Sequence, residues 1–173
     1  MRGKVYVLGD NIDTDQILTA EYLKVNPASP EGRAELASLA MCGLPEGSAP
    51  FIDPQTNRAG YDFIVAGKNF GCGSSREHAV VALGASGVKA VVAHSFARIF
   101  FRNCVSTGQL MPVSLQAGRD VEGLKTGDTI EIDLAACRIV TDKGVVATAP
   151  IGELANIVAA GGLFAYARQT GKV

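Results

Sequence analysis

An α/β fold is predicted for this chain of 173 residues, with a mostly parallel central sheet, helices packed on it and a small antiparallel meander. Strand-like and helix-like segments alternate between residues 61 and 114, and that order builds a parallel sheet. The segment 128–134 then alternates polar and apolar residues, as a half-exposed antiparallel strand does. Hydrophobic residues make up 47% of the chain, which is enough apolar surface to bury a core.

Size and charge limit the class of protein. The length predicts one domain over 1–173. Lys and Arg number 16 and Asp and Glu number 17, so the formal net charge is −1. No block of basic residues occurs along the chain, which argues against binding to nucleic acid or to a membrane surface.

The N-terminal third begins with a predicted strand at Lys4–Leu8, followed by a polar turn and a short apolar stretch over 13–18. The apolar residues 5–8 form too short a run for a signal peptide, so we expect a cytoplasmic protein. Prolines then interrupt the pattern. We expect a long loop excursion over about 24–56 that contains one helix at Glu31–Met41.

The central segment supplies the predicted parallel sheet. Its strands are predicted at 62–66, 88–93 and 110–114. A glycine-rich loop at 67–75 leads from the first of these strands into a helix predicted over Arg76–Ser86. Ser95 is a suitable N-cap for a second helix that ends near Thr107.

The C-terminal segment changes character. Three short strands are predicted at 128–134, 137–141 and 145–148 and form the meander. Pro150 is expected to open a last helix, with Ile151, Leu154 and Val158 on one face.

The most informative motif is the segment Asn69–His78, which reads NFGCGSSREH. A glycine loop that follows a strand and enters a helix presents backbone N–H groups and the helix dipole to an anion. The hydroxyls of Ser74 and Ser75 and the guanidinium of Arg76 add donors for a carboxylate or phosphate. The alternative is that the serines only cap a helix and that Arg76 and Glu77 are surface charges.

Three motifs together resemble a known family. They are Gly9–Ile17 (GDNIDTDQI), Gly71–His78 (GCGSSREH) and Ser95–Asn103 (SFARIFFRN). In this order and spacing they are similar to the swivelling β/β/α domain of the aconitase superfamily. The free-standing length resembles the small subunits of isopropylmalate dehydratases, and the resemblance covers essentially the whole chain.

The resemblance implies a lyase that removes water from a hydroxy acid and adds it back at the neighbouring carbon. For this chain it implies a hydro-lyase of leucine biosynthesis, which interconverts 2-isopropylmalate and 3-isopropylmalate through 2-isopropylmaleate. The alternative is the small subunit of a homoaconitase or of a related methyl-substituted malate hydro-lyase. A different class, a non-catalytic anion-binding module, predicts that loss of the Ser74 hydroxyl leaves biological activity intact.

The resemblance also implies a cofactor and a partner. In the family a [4Fe–4S] cluster acts as Lewis acid on the leaving hydroxyl. The four cysteines lie far apart without a C-x-x-C pair, at Cys42, Cys72, Cys104 and Cys137. We therefore expect free thiols, no metal site in this chain and the cluster on a large subunit. The expected assembly is a heterodimer or heterotetramer that is active only when complete, and the isolated chain is expected to self-associate.

The family's catalytic roles carry over to the glycine loop. Ser74 matches the general base, whose alkoxide the helix N-terminus and Arg76 would stabilise. Ser75 and Arg76 would hold a substrate carboxylate. Glu77 and His78 belong to the supporting network, in which His78 orders the loop rather than transferring a proton.

The resemblance assigns a supporting role to the acidic turn as well. Asp13, Thr14 and Asp15 match a turn that packs against the serine loop in the family, where the counterpart of Asp15 belongs to the polar network of the active site. The alternative is that Asp13 or Asp15 caps a helix.

Lys24 lies in the segment Tyr22–Val25, which matches the family's substrate-specificity loop. Homoaconitases carry Arg at this position to meet an extra carboxylate, whereas isopropylmalate enzymes often carry an apolar residue. The alternative is a solvated lysine. We expect Lys24 to face solvent or a carboxylate of the protein, so that Leu23 and Val25 line an apolar wall suited to an isopropyl group.

Overall fold

The structure is a computed structural model and describes residues 1–171. The last two residues of the domain predicted over 1–173 therefore lie outside the described range. The strands are β1 (Arg2–Val7), β2 (Ile52–Asp53), β3 (Arg58–Ala59), β4 (Phe63–Ala66), β5 (Ala90–Ala93), β6 (Met111–Ser114), β7 (Thr129–Asp133), β8 (Arg138–Thr141) and β9 (Gly144–Ala147). The helices are α1 (Thr14–Ile17), a 3-10 helix (Ala20–Lys24), α2 (Pro30–Ser38), α3 (Glu77–Ser86), α4 (Arg98–Thr107), α5 (Leu154–Ala159) and α6 (Leu163–Gln169).

One seven-stranded sheet, in the order β6-β5-β4-β1-β7-β8-β9, forms the centre of the molecule. The strands β6, β5, β4 and β1 are parallel, and β7, β8 and β9 continue the sheet in antiparallel pairing. β1 joins the two parts, because its C-terminal half pairs with β4 and its N-terminal half pairs with β7. The predicted fold class is confirmed, and the predicted meander proves to be the antiparallel half of this sheet.

The two faces of the sheet bury different side chains, since successive residues of a strand point to opposite faces. On one face Ile64 and Val91 pack with the apolar residues of α2, α3 and α4. On the other face Phe63 and Val92 pack with residues of β7 and β8, and α5 adds Leu154 at the margin. The parallel strands are buried on both faces, which explains why they read as continuous apolar runs.

The stretch predicted as a loop excursion over 24–56 contains helix α2 and strand β2, which pairs with β3 in a small hairpin. Ser29 caps α2 by accepting a hydrogen bond from the Gly32 N–H, and Pro30 occupies its first turn. Helix α2 ends at Ser38, three residues before the predicted end at Met41. The side chains of Leu36, Met41 and Phe51 are buried, so this stretch covers the sheet.

Besides the end of α2, the starts of α3 and α4 and the course of the last helix differ from the prediction. α3 begins at Glu77 rather than Arg76, which has extended backbone angles. α4 begins at Arg98, because Ser95 is bonded to the glycine loop instead of capping the helix. The last helix predicted from Pro150 is two helices, since the positive φ angles of Gly161 and Gly162 separate α5 from α6.

None of the helices described within residues 1–171 is both long and apolar enough to span a membrane.

Candidate active site

The site is built at the carboxyl ends of β1, β4 and β5, where the three sequence motifs meet. The loop after β4 runs beside the loop after β1, since the Ile12 carbonyl accepts from the N–H groups of Gly71 and Cys72 at 2.7 and 3.2 Å. The segment after β5 lies on the other side, since the Phe70 N–H donates to the Ser95 carbonyl at 3.0 Å and the Ala97 N–H donates to the Phe70 carbonyl at 2.9 Å. The fold thus brings together motifs that are far apart in sequence.

Gly71 is required by the packing of this loop. Its φ of +77° lies in the left-handed region, and a Cβ at this position would overlap the ring of Phe100. Phe100 belongs to α4 and packs edge-on against Phe70. The glycine therefore allows the serine loop to rest directly on α4.

Ser74 and Ser75 are exposed at the end of the loop, immediately before α3. Neither hydroxyl takes part in a hydrogen bond within residues 1–171, so both are free to contact a ligand. The backbone is held in place, because the Thr14 hydroxyl donates to the Ser74 carbonyl at 3.0 Å. The arrangement presents two hydroxyls at the positive end of a helix of ten residues, which suits an anionic ligand.

Arg76 is buried, with 8% of its surface exposed, and it is therefore no surface charge. Its Nη1 donates to Asp15 Oδ1 at 2.6 Å and to the Leu18 carbonyl at 2.9 Å. Its Nε is buried without a hydrogen-bond partner in the described chain. The side chain joins the start of α3 to α1. Its N–H groups other than those of Nη1 make no hydrogen bond in the described chain. Glu77, the next residue, is exposed in the first turn of α3.

Each residue of the acidic turn Asp13–Asp15 makes a different contact. Asp13 caps α1 in a capping box, since its Oδ1 accepts from the Gln16 N–H and Gln16 Oε1 accepts from the Asp13 N–H. Thr14 is buried, and its N–H donates to the Cys72 carbonyl at 2.8 Å. Asp15 pairs with Arg76. The sequence allowed Asp13 or Asp15 as a helix cap, and Asp13 is the one that caps α1.

The segment Tyr22–Val25, predicted to govern specificity, forms the last three residues of the 3-10 helix Ala20–Lys24 and the residue after it. Lys24 is exposed, and no hydrogen bond or ion pair involves its side chain within residues 1–171. Leu23 is partly exposed, at 38%. The expectation that Val25 lines an apolar wall is wrong, because its side chain is buried in the core. The Val25 carbonyl instead lies 3.0 Å from Nε2 of His78.

Sequence reasoning missed two residues that couple the loops. Asn11 and Asn69 both have positive φ, at +55° and +59°, and the Asn69 amide Nδ2 donates to Asn11 Oδ1 at 3.0 Å. Asparagine tolerates the left-handed region better than most residues, and this is the signal that marks both positions.

The cysteines described here do not fit an iron–sulfur cluster. Cys42 is exposed, and burial raises the pKa of the Cys104 thiol, which keeps it protonated. Residues 1–171 contain no group of three or more His, Cys, Asp or Glu side chains that could hold a metal ion.

A cavity of about 740 Å³ lies away from the serine loop, between α2, the segment 56–58 and the C-terminal end of α3. The serine loop is the better candidate active site, because the cavity contains no nucleophile or general base beside a helix N-terminus. The serines lie on open surface instead.

Comparison with known proteins relates the chain to one family. Residues 40–118 match the family model described as the aconitase C-terminal domain. The chain is 47% identical to 3-isopropylmalate dehydratase small subunit 3 of Arabidopsis thaliana, over 99% of this chain and 70% of that protein. It is 41% identical to a methanogen homoaconitase small subunit of Methanocaldococcus jannaschii, over 98% of this chain and 92% of that protein.

A solved structure gives the same answer. The crystal structure of a 3-isopropylmalate dehydratase from Methanocaldococcus jannaschii superposes with a TM-score of 0.79 and 38% identity, over 99% of this chain and 95% of that chain. Sequence and overall fold therefore agree, and this chain belongs to the family of 3-isopropylmalate dehydratase small subunits, within the aconitase superfamily.

Proposed function

We propose that this chain is the small subunit of a 3-isopropylmalate dehydratase, a hydro-lyase of leucine biosynthesis. The reaction interconverts 2-isopropylmalate and 3-isopropylmalate by losing water to form 2-isopropylmaleate and adding it back. The observation that carries the proposal is the pair of free, exposed hydroxyls on Ser74 and Ser75 at the N-terminus of α3, beside the buried Arg76. The site is exposed to solvent, and relatives of this chain are named as small subunits.

Ser74 is the proposed general base. It takes the proton from the carbon next to the one that bears the hydroxyl, and it returns a proton when water is added back. A serine is a weak base unless its alkoxide is stabilised. Stabilisation comes from the N–H groups at the start of α3 and from the guanidinium of Arg76, whose charge the paired Asp15 carboxylate partly offsets.

Ser75 and Arg76 are the proposed ligands of a substrate carboxylate. Nη1 of Arg76 is already bonded to Asp15 and to the Leu18 carbonyl, so the substrate receives the charge of Arg76 and its remaining N–H groups. The Ser75 hydroxyl and backbone N–H groups supply direct hydrogen bonds. Asp13, Thr14, Asp15 and Glu77 are proposed to support this arrangement.

The partner is proposed to be the large subunit of the same enzyme, in a heterodimer or heterotetramer. The [4Fe–4S] cluster of the family is proposed to lie on that subunit, because the cysteines described here form no ligand set. The large subunit would also cover the exposed serines and exclude water from the reaction.

A homoaconitase is the second candidate, and Lys24 favours it. The ammonium is exposed and unpaired within residues 1–171, so it is free to meet an additional carboxylate. An ammonium buried against an isopropyl group would cost more than the ~2 kcal/mol gained from burying that group, at about 0.8 kcal/mol per carbon. We retain isopropylmalate as the substrate, because an exposed lysine can remain in solvent.

The test is kinetic and uses the complex of this chain with its large subunit. We expect the wild type to turn over isopropylmalate with a higher kcat/KM than homoaconitate-type tricarboxylates, and Lys24→Val to keep activity on isopropylmalate within about threefold. A wild type that prefers tricarboxylates, and loses only that activity in Lys24→Val, would show that the enzyme is a homoaconitase. An exposed lysine far from the site, Lys143, supplies the control variant Lys143→Val.

A further inference from the structure

One histidine side chain links the specificity segment to the serine helix. His78 is the second residue of α3 and is half-buried, and its Nε2 lies 3.0 Å from the Val25 carbonyl oxygen. Val25 immediately follows the 3-10 helix Ala20–Lys24. A carbonyl oxygen only accepts hydrogen bonds, so Nε2 carries a hydrogen and donates it.

Few other polar contacts hold this 3-10 helix in place. In the described chain, residues 19–25 make one other hydrogen bond to a distant element, a 3.8 Å contact between Thr19 Oγ1 and Cys42 Sγ. The backbone bonds of the segment are local, such as the one from the Val25 N–H to the Tyr22 carbonyl. Apart from apolar packing and the weak Thr19 contact, the hydrogen bond from His78 is what ties residues 19–25 to a distant element in the described chain.

Both ends of the segment are joined to the first turn of α3 or to the residue before it. Arg76 bonds the Leu18 carbonyl, immediately before the segment, and His78 bonds the Val25 carbonyl at its end. Leu23 and Lys24 lie between these two points and are exposed. Arg76 and His78 thus tie both ends of the segment to the start of α3, which directly follows the serines.

We infer that His78 is a positioning residue that determines substrate selectivity by fixing the specificity segment relative to Ser74. The inference rests on the proposed function of the Ser74 site. The hydrogen on Nε2 is committed to the Val25 carbonyl, so that nitrogen takes no part in proton transfer. Movement of the segment would instead alter how the enzyme accommodates the alkyl or carboxylate group that distinguishes one hydroxy acid from another.

Two replacements of His78 separate this role from general stabilisation. The amide nitrogen of Gln falls near the place of Nε2, so His78→Gln keeps a donor for Val25. The amide nitrogen of Asn falls near the place of Nδ1, so His78→Asn removes that donor while remaining polar and uncharged. The chain has one other histidine, His94, which contacts Asp120, and His94→Asn is the control.

The first measurement is hydrogen–deuterium exchange on the full chain, and it does not depend on activity. We expect His78→Asn to raise amide exchange in peptides covering 19–25 by about five- to tenfold, the effect of losing one hydrogen bond. His78→Gln and His94→Asn should stay within about twofold of the wild type. Unchanged exchange in His78→Asn, or an equal rise in His78→Gln, would overturn the inference.

The second measurement uses the complex with the large subunit and compares isopropylmalate with a methyl-substituted malate. We expect His78→Asn to change the ratio of the two kcat/KM values at least fivefold, mainly through KM, and His78→Gln to restore it. An equal loss on both substrates would contradict a role in selectivity. A wild-type complex inactive on both substrates would contradict the proposed function, and the exchange experiment would still decide whether His78 holds the segment.

Discussion

At the residue scale, Arg76 determines how the serine loop is held. A buried guanidinium that lost its partners would be strongly destabilising, so Asp15 and the Leu18 carbonyl are needed to keep it in place. Because Arg76 immediately follows the two serines, this anchor restrains the backbone that carries both hydroxyls. The same side chain therefore supports the loop and brings positive charge to it.

The replacement Ser74→Ala tests the general base. We expect the fold and the complex to persist and kcat to fall by roughly 10²-fold or more, the usual loss when a general base is removed. Steady-state kinetics of the mutant complex provide the measurement, and Ser48→Ala, in the exposed 45–50 loop, is the matched control. Full activity in Ser74→Ala would remove Ser74 from the proposed role.

The replacement Arg76→Lys tests the carboxylate ligand. Lysine is a point charge with a single nitrogen, so it cannot keep the two Nη1 bonds to Asp15 and the Leu18 carbonyl and also offer further N–H groups to a substrate; we therefore expect KM to rise about tenfold, with a smaller fall in kcat. Kinetics of the complex are compared with those of Arg138→Lys, on the distant strand β8. An unchanged KM in Arg76→Lys would exclude Arg76 from substrate binding.

The sequence predicted which residues surround the site better than it predicted their contacts. The glycine loop places Ser74, Ser75 and Arg76 together because they are neighbours in the chain. The bond between His78 and Val25 and the burial of Val25 depend on the packing of segments far apart in sequence. Local patterns carry no information on such pairings, so the apolar wall predicted from Val25 was wrong.

At the scale of elements, the serine loop depends on contact with two neighbours, the turn before α1 and the N-terminal part of α4. The first gives the Ile12 carbonyl and Thr14, and the second gives the ring of Phe100. The same contacts explain the shifted helix starts. Ser95 reads as an N-cap in sequence, but its hydroxyl accepts from the Asn69 N–H, so α4 begins three residues later.

The replacement Gly71→Ala tests this packing. An alanine here meets both an unfavourable φ and the ring of Phe100, so we expect the free energy of unfolding to fall by about 2–4 kcal/mol. Gly73→Ala is the matched control, because its φ is also positive, at +88°, but its Cβ would lie 3.4 Å from the nearest atom and cost only about 1–2 kcal/mol. Urea denaturation measures both, and equal losses would contradict the contact with Phe100.

At the scale of the whole molecule, β1 unites a parallel and an antiparallel half in one sheet. The parallel half was predictable, because strands that alternate with helices along the chain form a parallel sheet. The pairing of β1 with β7 was not, since it joins Arg2–Lys4 to Thr129–Glu131, which are far apart in the chain, and leaves no local signal. The consequence for function is that the three parallel-strand loops that bear the site end at one surface.

That surface is open, as expected if the chain holds the proposed base and part of the proposed carboxylate site and a partner completes them. Ser74 and Ser75 are exposed, and the cysteines of the described chain offer no cluster ligands. The most direct measurement is the iron content, visible absorbance and hydro-lyase activity of the purified chain with and without its large subunit. We expect no stoichiometric iron–sulfur absorbance and no turnover for the isolated chain, and interconversion of the isopropylmalates by the complex. Cluster absorbance or turnover in the isolated chain would contradict this expectation.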